Sequence, residues 1–502
     1  MQNGTRLAAV DLGSNSFRLE IGQLDHGQIH RTEYLKETVR QGNGLDADKN
    51  LTLDAMQRGW DCLARFGERL AGFKTTEVRA VATQTLREAR NRDDFLAHAT
   101  ELLGFPIDVI SGREEARLIY QGVTHLLPQS DEKRLVIDIG GRSTELILGQ
   151  HLTARVMESY RVGSVAWSMK YFPNGQLTAS AFKTAEIAAK AVLDETLNTY
   201  HRDAWDVAYG SSGTMGAVAD VLTAAGWPEG IVTRDGLEWL VDKLIKSQHA
   251  DRVRLLGLKE DRRAVIGGGV SVLRAVFDLL SIDHLYPAQG ALRHGVLYDL
   301  VEREDGHSDL RASSVKRLAN NFGVDIHHAT RVTKIAKALF TQLQTATHMF
   351  KSTMNMSLEQ LTWTAQLHEI GNQISHSEYH KHGAYILENA DISGFAKAEL
   401  HRLGMLILGQ RGKLKKLDHE LEDTVFTHQL LALRLAVILC HARRDIDTMN
   451  LQLVVSDKDD RQFNLSYPPS WAKKFPQSVH LLHEEEIAWS RTNWSLQLQV
   501  NS

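Results

Sequence analysis

The sequence predicts an α/β protein: two similar α/β lobes followed by a mainly helical third domain with a short strand-containing tail. Two observations carry this expectation. Residues 11–22 (DLGSNSFRLEIG) and 138–149 (DIGGRSTELILG) place Asp, Gly, Ser, Leu and Gly at matching positions, offset by 127 residues. After about residue 303, alternating strand and helix signals give way to helical periodicity. At 502 residues the chain also exceeds the roughly 250–300 at which single cores stop growing. Three domains are therefore expected, over residues 1–128, 129–302 and 303–502.

Each copy of the repeat starts from an apolar run, Leu7 to Val10 and Leu135 to Ile137. Each continues with period-two alternation, Phe17, Leu19, Ile21 and then Thr144, Leu146, Leu148. The unit reads as strand, Gly/Ser turn, strand. Around it, Ala55 to Phe73 reads as an amphipathic helix, Glu77 to Thr83 and Ile107 to Ile110 as strands, and a helix begins near Arg113. Asp206 to Tyr209 reads as a strand running into Gly210–Thr214 and a helix, and Gly267–Gly269 opens a further helix through Leu280. The acidic stretch Glu302 to Gly306 reads as a linker. Beyond it, helical periodicity covers Val315 to Leu343, Leu358 to Leu367 and Leu430 to Arg443, and strand alternation returns in Leu451 to Leu465 and Trp489 to Val500. Of 23 histidines, 14 fall in the last 200 residues, in keeping with a third domain of different ancestry.

Composition narrows the function classes. With 58 basic and 62 acidic residues and a formal charge of −4, the bulk positive field of a nucleic-acid binder is missing. Cys62 and Cys440 are too few for a disulfide framework and fit a reducing compartment. The N-terminus enters Leu7-Ala8-Ala9-Val10 without a secretory pattern, and no apolar run approaches the ~18 residues of a membrane span. A soluble, cytoplasmic protein is expected.

The repeated Asp-x-Gly turns carry the clearest chemistry. Turns rich in Gly and Ser, such as Gly13-Ser14-Asn15-Ser16 and its partner at 140–143, let backbone N–H groups converge on an anion because no Cβ blocks the approach. Asp11 and Asp138, each ending the preceding strand, are placed to hold hydrated Mg²⁺ carried by such a phosphate. Arg18 and Glu145 occupy equivalent positions on the face opposite the apolar residues. There they serve as a phosphate contact and a metal-supporting carboxylate, or as plain solvated strand residues. Ser111-Gly112-Arg113-Glu114 has capping-box spacing, which employs Glu114 and leaves Glu115 free to orient a water. Gly210–Thr214 and Gly267–Gly269 are weaker anion or nucleoside candidates, since such turns also serve close packing. His328, His368-Glu369 and the group His376, His380, His382 have the spacing of metal ligands. Arg411, Lys413, Lys415 and Lys416 form a basic run suited to a long anion.

Taken together, the turns DLGSNSFR and DIGGRSTEL, with ISGREEARLIY, GSSGT and QGALRHGVLYDL, resemble the exopolyphosphatase / guanosine pentaphosphate phosphohydrolase family over residues 6–300 and more loosely to the C-terminus. The resemblance implies two actin-like (ribonuclease H-like) lobes. It assigns a first phosphate loop to Asp11, Gly13, Ser14, Asn15, Ser16 and Arg18, and a second to Asp138, Gly140, Gly141, Ser143, Thr144 and Glu145. It makes Glu115 the water-activating residue and Arg87 a substrate-facing arginine, and it puts Gly213 and Thr214 at the cleft between the lobes. Arg142 departs from the family's small residue and stands as an extra phosphate contact or a constriction. The third domain resembles HD phosphohydrolases, in which a His, a His-Asp pair and a late Asp bind metal. His328 and His368 fit, but Glu369 and Val437 replace the aspartates. That implies a degraded metal site, with the domain kept for substrate binding and dimerisation.

The expected function is a Mg²⁺-dependent, processive exopolyphosphatase. Asp138, Glu145 and Asp11 hold the metal, the two turns cradle the terminal phosphates, Glu115 aligns water, and the basic run from Arg411 holds the trailing chain. The alternative is a pppGpp 5′-phosphohydrolase using the same groups; an actin-like ATPase or kinase is more distant. The resemblance also implies a homodimer, while peripheral membrane association is left open.

Overall fold

The structure, a computed structural model, describes residues 1–305, 310–345, 351–445, 450–456 and 459–500. It divides into two compact units, Met1–Ser308 with Asp391–Ala396, and Asp309–Ala390 with Lys397–Ser502. The short segment Asp391–Ala396 thus belongs with the first unit, where Ala396 bridges Ile110 and the Gly394 N–H donates to Glu114 (2.8 Å).

Two sheets build the first unit. The first contains β1 (Arg6–Leu12), β2 (Phe17–Asp25), β3 (Gln28–Glu37), β4 (Val78–Ala82) and β5 (Ile107–Val109), in the order β3-β2-β1-β4-β5. The second contains β6 (Lys133–Ile139), β7 (Thr144–Gln150), β8 (Thr153–Tyr160), β9 (Val207–Ser211), β10 (Val232–Thr233) and β11 (His284–Pro287), in the order β10-β11-β9-β6-β7-β8. In both sheets the first hairpin is antiparallel, and its leading strand pairs in parallel with the strand after the next crossover, β1 with β4 and β6 with β9. The sequence repeat is therefore a repeat of topology. Strands β1 and β6 are buried on both faces from their second residue onward, which explains why they read as unbroken apolar runs.

The two sheets share a central helix pair. Helix Gly112–Thr124 packs on β7 and β8 and against helix Leu292–Asp305, which lies on β1. Their close approach needs glycine: a Cβ on Gly295 would fall 1.8 Å from the Leu118 carbonyl oxygen, and one on Gly122 would fall 2.2 Å from that of Ala291. Leu7, Ala9, Ile119, Val136, Ile147, Val296 and Leu297 meet in this shared core.

Residues 302–305, read as a linker, continue helix Leu292–Asp305, because Glu and Arg are good helix formers; Gly306 lies outside the described residues. Gly267–Gly269 lies in the first turn of helix Ile266–Leu279, as expected. A Cβ on Gly268 would sit 2.5 Å from the Ser164 carbonyl oxygen and the Ser168 nitrogen, so this run serves close packing.

The second unit is mainly helical. The periodic stretch Val315 to Leu343 splits into helices Leu310–Asn321 and Ile326–Thr345 around Gly323, whose φ is +60°. Helix Thr424–Leu439 is nearly all buried, in a core with Phe340, Leu361, Phe463, Leu482 and Trp489. A small sheet follows: β12 (Gln452–Ser456), β13 (Asp459–Tyr467) and β14 (Ser495–Val500), in that order. Trp489 ends helix Pro476–Trp489 rather than starting a strand. Among the described residues no helix is long and apolar enough to cross a membrane, and both cysteines are buried and unbridged.

Candidate active site

The two Gly/Ser turns face each other across a cavity of about 340 Å³ in the first unit. They approach closely: a Cβ on Gly141 would lie 2.9 Å from Ser14 Cβ and 3.6 Å from the Asn15 nitrogen. The first turn is pinned by Gly42, whose N–H donates to the Ser14 carbonyl (2.7 Å), and by Thr85, which donates to the Ser14 hydroxyl (2.8 Å). The second is closed by the Gly140 N–H on the Ser143 carbonyl (2.9 Å). Among the described residues, no acceptor takes the N–H groups of Ser14, Asn15, Gly141 and Arg142. Two sets of free donors at facing turns make an anion cradle.

Beside the cradle lie four carboxylates. Asp11, Glu115 and Asp138 line the cavity, and Glu145 is buried directly across the ladder from Asp138. Burial, and then the charges of Glu115 and Asp11, push the Asp138 carboxyl up to about 7, against the Ser211 hydroxyl and Arg18. Glu145 is driven well above the usual carboxylate range by burial and by Glu115 and Asp138. Its Oε1 accepts from Ser159 (2.7 Å), whereas Oε2 has no partner. Glu115 is raised by burial and restrained by Arg87, which donates to its Oε2 at 2.7 Å. Like charges gathered in a dry site need a counter-ion. An all-oxygen donor set with an orphaned buried oxygen suits a hard divalent cation.

Twelve expected residues line this cavity: Asp11, Gly13, Ser14, Asn15, Ser16, Arg18, Glu115, Asp138, Gly140, Gly141, Ser143 and Gly213. Arg18 spans from the cavity wall to Asp11 (2.9 Å). Others do not reach it. Arg87 does not line the cavity; it donates to Glu115 and is braced by Gln84 (2.7 Å) and the Ile110 carbonyl (3.0 Å). Arg142 turns away to the Gly42 carbonyl and Glu88, both 3.0 Å. The hydroxyls of Thr144 and Thr214 donate to the carbonyls of Val162 (2.6 Å) and Ile139 (3.1 Å), holding backbone in place.

Glu114 also differs from expectation. Ser111 caps the Glu114 N–H (3.2 Å), but the Glu114 carboxylate turns to Arg117 (2.8 Å) and the Gly394 N–H. Arg117 continues to Asp299 (2.5 Å), which also pairs with Arg79 and with Arg303 (2.6 Å). Against the cost of burial, these three arginines hold Asp299 well below the usual carboxylate range.

The cavity lining also carries cations that sequence reasoning missed: Lys36, Lys259, Arg262 and Arg293. Arg262 is depressed by burial and by the charge of Arg18, and it packs so tightly on Gly213 that a Cβ there would lie 1.9 Å from its Nη2. Arg293 falls in the QGALRHG motif, while Lys259 and Arg262 sit in a mixed-charge run that resembles any solvated surface. Arg411, Lys413, Lys415 and Lys416 are exposed residues of the second unit, bracketing a turn whose Leu414 and Leu417 are buried. Among the described residues, His376, His380 and His382 form no metal-type cluster; His328, His368 and Glu369 do.

Comparison with known proteins agrees with this geometry. Residues 21–304 match the Ppx/GppA phosphatase family, and residues 310–486 match Ppx/GppA phosphatase, domain III. The chain is 36% identical over 494 residues to a guanosine-5′-triphosphate,3′-diphosphate pyrophosphatase of Vibrio atlanticus (strain LGP32), covering 98% of each. It is 37% identical over 492 residues to the protein of that name from Pseudoalteromonas translucida (strain TAC 125), covering 97% of each. A crystal structure of the Aquifex aeolicus Ppx/GppA family member matches with a TM-score of 0.51 at 25% identity, over 61% of this chain and 99% of that one. The twin sheets, the facing phosphate-type turns and the full-length relatives converge: the chain belongs to the Ppx/GppA phosphatase family, hydrolases of phosphoric anhydride bonds on an actin-like fold.

Proposed function

We propose that the protein removes the terminal 5′-phosphate of guanosine 5′-triphosphate 3′-diphosphate (pppGpp), releasing orthophosphate. The observation that carries the choice of substrate is the 36% identity over essentially the whole length of relatives bearing that activity in their name. This shifts the expectation from polyphosphate to its alternative. The site supports the chemistry. The N–H groups of the two turns take the terminal phosphates, and the cations lining the same cavity neutralise the remaining ones. Glu115, fixed by Arg87, aligns a water in line with the terminal phosphorus and takes its proton as the bond to the leaving phosphate oxygen breaks. When bound, a divalent cation, here proposed as Mg²⁺, offsets charge on the transferred phosphoryl group. Asp138 and Asp11 would hold it, with Glu145 supporting it from behind.

Side-by-side turnover of pppGpp, long-chain polyphosphate and ATP in Mg²⁺ tests this reading. A higher kcat/KM for pppGpp is expected, and a clear preference for polyphosphate overturns it. The polyphosphate reading has one observation of its own. Lys413, Lys415 and Lys416 present exposed ammonium groups around one short turn, with Arg411 beside them, a cationic strip suited to an extended anion. Reversing Lys413, Lys415 and Lys416 to glutamate would then weaken binding of long polyphosphate by the inactive Glu115→Gln protein.

A further inference from the structure

Six residues of the first unit come from far along the chain. Asp391–Ala396 runs between helix Tyr379–Asn389 and helix Lys397–Gly409 of the second unit, yet belongs with Met1–Ser308. Ile392, Phe395 and Ala396 are buried and give this docking its apolar anchor. Packing alone would ask no more of the segment.

Its backbone does something further. Gly394 sits at φ +89°, a conformation open to glycine, and both of its polar groups enter one charged network. Its N–H donates to Glu114 Oε2 (2.8 Å), and its carbonyl accepts from Arg303 Nη2 (3.2 Å). Arg303 pairs with Asp299, Asp299 with Arg117, and Arg117 with Glu114. Gly394 thus closes a ring of four charged side chains. Glu114 and Asp299 are buried in it, and charge-assisted hydrogen bonds are strong in such a setting. Two residues on, Ala396 bridges Ile110, whose carbonyl accepts from Arg87, the partner of Glu115. The segment therefore grips helix Gly112–Thr124 at both sides of its start: at Ile110, ahead of the Ser111 cap, and at Glu114, in the first turn. Glu115 is the next residue, and it lines the cavity.

We infer that segment Asp391–Ala396 is a strap that aims the Glu115 carboxylate, with Gly394 as its positioning residue. Gly394 does not line the cavity. It acts by fixing the turn from which Glu115 projects, and Ala396 by fixing the Ile110 carbonyl that braces Arg87. A side chain at residue 394 disfavours this φ, and the peptide rotation that relieves it carries the N–H away from Glu114. The inference rests on Glu115 as the group that activates water, and it holds for either phosphate substrate.

Steady-state kinetics of the full-length Gly394→Ala protein in Mg²⁺, with pppGpp and with long-chain polyphosphate, test the inference. On whichever substrate is turned over, kcat should fall by about ten- to a hundredfold, with KM within about twofold of wild type. The acid limb of kcat/KM should move to higher pH, because Arg87 loosens its hold on Glu115. Adding Arg87→Met should shift that limb no further than Arg87→Met alone. Gly394→Asn, which tolerates positive φ, should recover most of the loss. If Gly394→Ala fails to fold, Phe395→Leu loosens the buried anchor and carries the same readout. Lower stability with wild-type kcat and an unshifted limb makes the segment plain packing. That result beside an inactive Glu115→Gln overturns the strap alone, whereas activity retained in Glu115→Gln overturns the reading on which it rests.

Discussion

Asp138 faces Glu145 directly across the β6–β7 ladder, at the position where Asp11 faces Arg18 in the first copy of the same hairpin. One copy closes an ion pair; the other opposes two buried acids. The duplicated backbone is kept while the charges are divided, and the second hairpin becomes the one that needs a cation.

Asp138→Asn should therefore abolish turnover yet stabilise the metal-free protein. Its carboxyl is pushed up to about 7 in the fold against roughly 3.9 when unfolded, so above pH 7 the folded state carries a charge it resists. The gain in Tm over wild type is expected at pH 8 and should fade as the pH falls through 7 toward 5. Thermal melts in a chelating buffer check this.

Glu115→Gln should lower kcat by about 10²–10⁴ while sparing substrate binding. Arg87→Met should move a different quantity. Arg87 holds the Glu115 pKa down, so its loss raises that pKa further and shifts the acid limb of the kcat/KM profile to higher pH. An unshifted limb would show that Arg87 does not position Glu115.

The two kinds of glycine should separate by readout. In Gly141→Ala the new methyl meets Ser14 at 2.9 Å and forces the facing turns apart, lowering kcat/KM by up to about a hundredfold. In Gly268→Ala it meets the Ser164 carbonyl, and overpacking costs about 1–3 kcal/mol of stability with KM unchanged. Steady-state kinetics and denaturant melts on both variants distinguish them.

Arg142→Ala should behave as a packing mutation. Its partners are Gly42 and Glu88, so KM for pppGpp is expected to hold while stability falls by about 1–3 kcal/mol. A several-fold rise in KM would restore it to the phosphate contacts.

What the sequence made legible was local. Asp-x-Gly turns after apolar runs, and Glu115 left over from a capping pattern, need only a few neighbouring residues to be read. Partner choice across long separations was hidden. Arg142 finds a carbonyl 100 residues away, and Lys36 meets Asp261, 225 residues on. The cationic wall forms only when these strands and helices assemble. The charged run at 302–305 misled because the residues that mark a solvated linker also build good helices.

Glu114 and Glu115 share the first turn of one helix, the former tied through Arg117 to Asp299 and the latter aimed into the cavity. Replacing Asp299 would strand three arginines and rock that turn. A loss-of-function screen would thus credit Asp299 with chemistry, although it reaches the cavity at second hand, through Arg117 and the helix turn that carries Glu115.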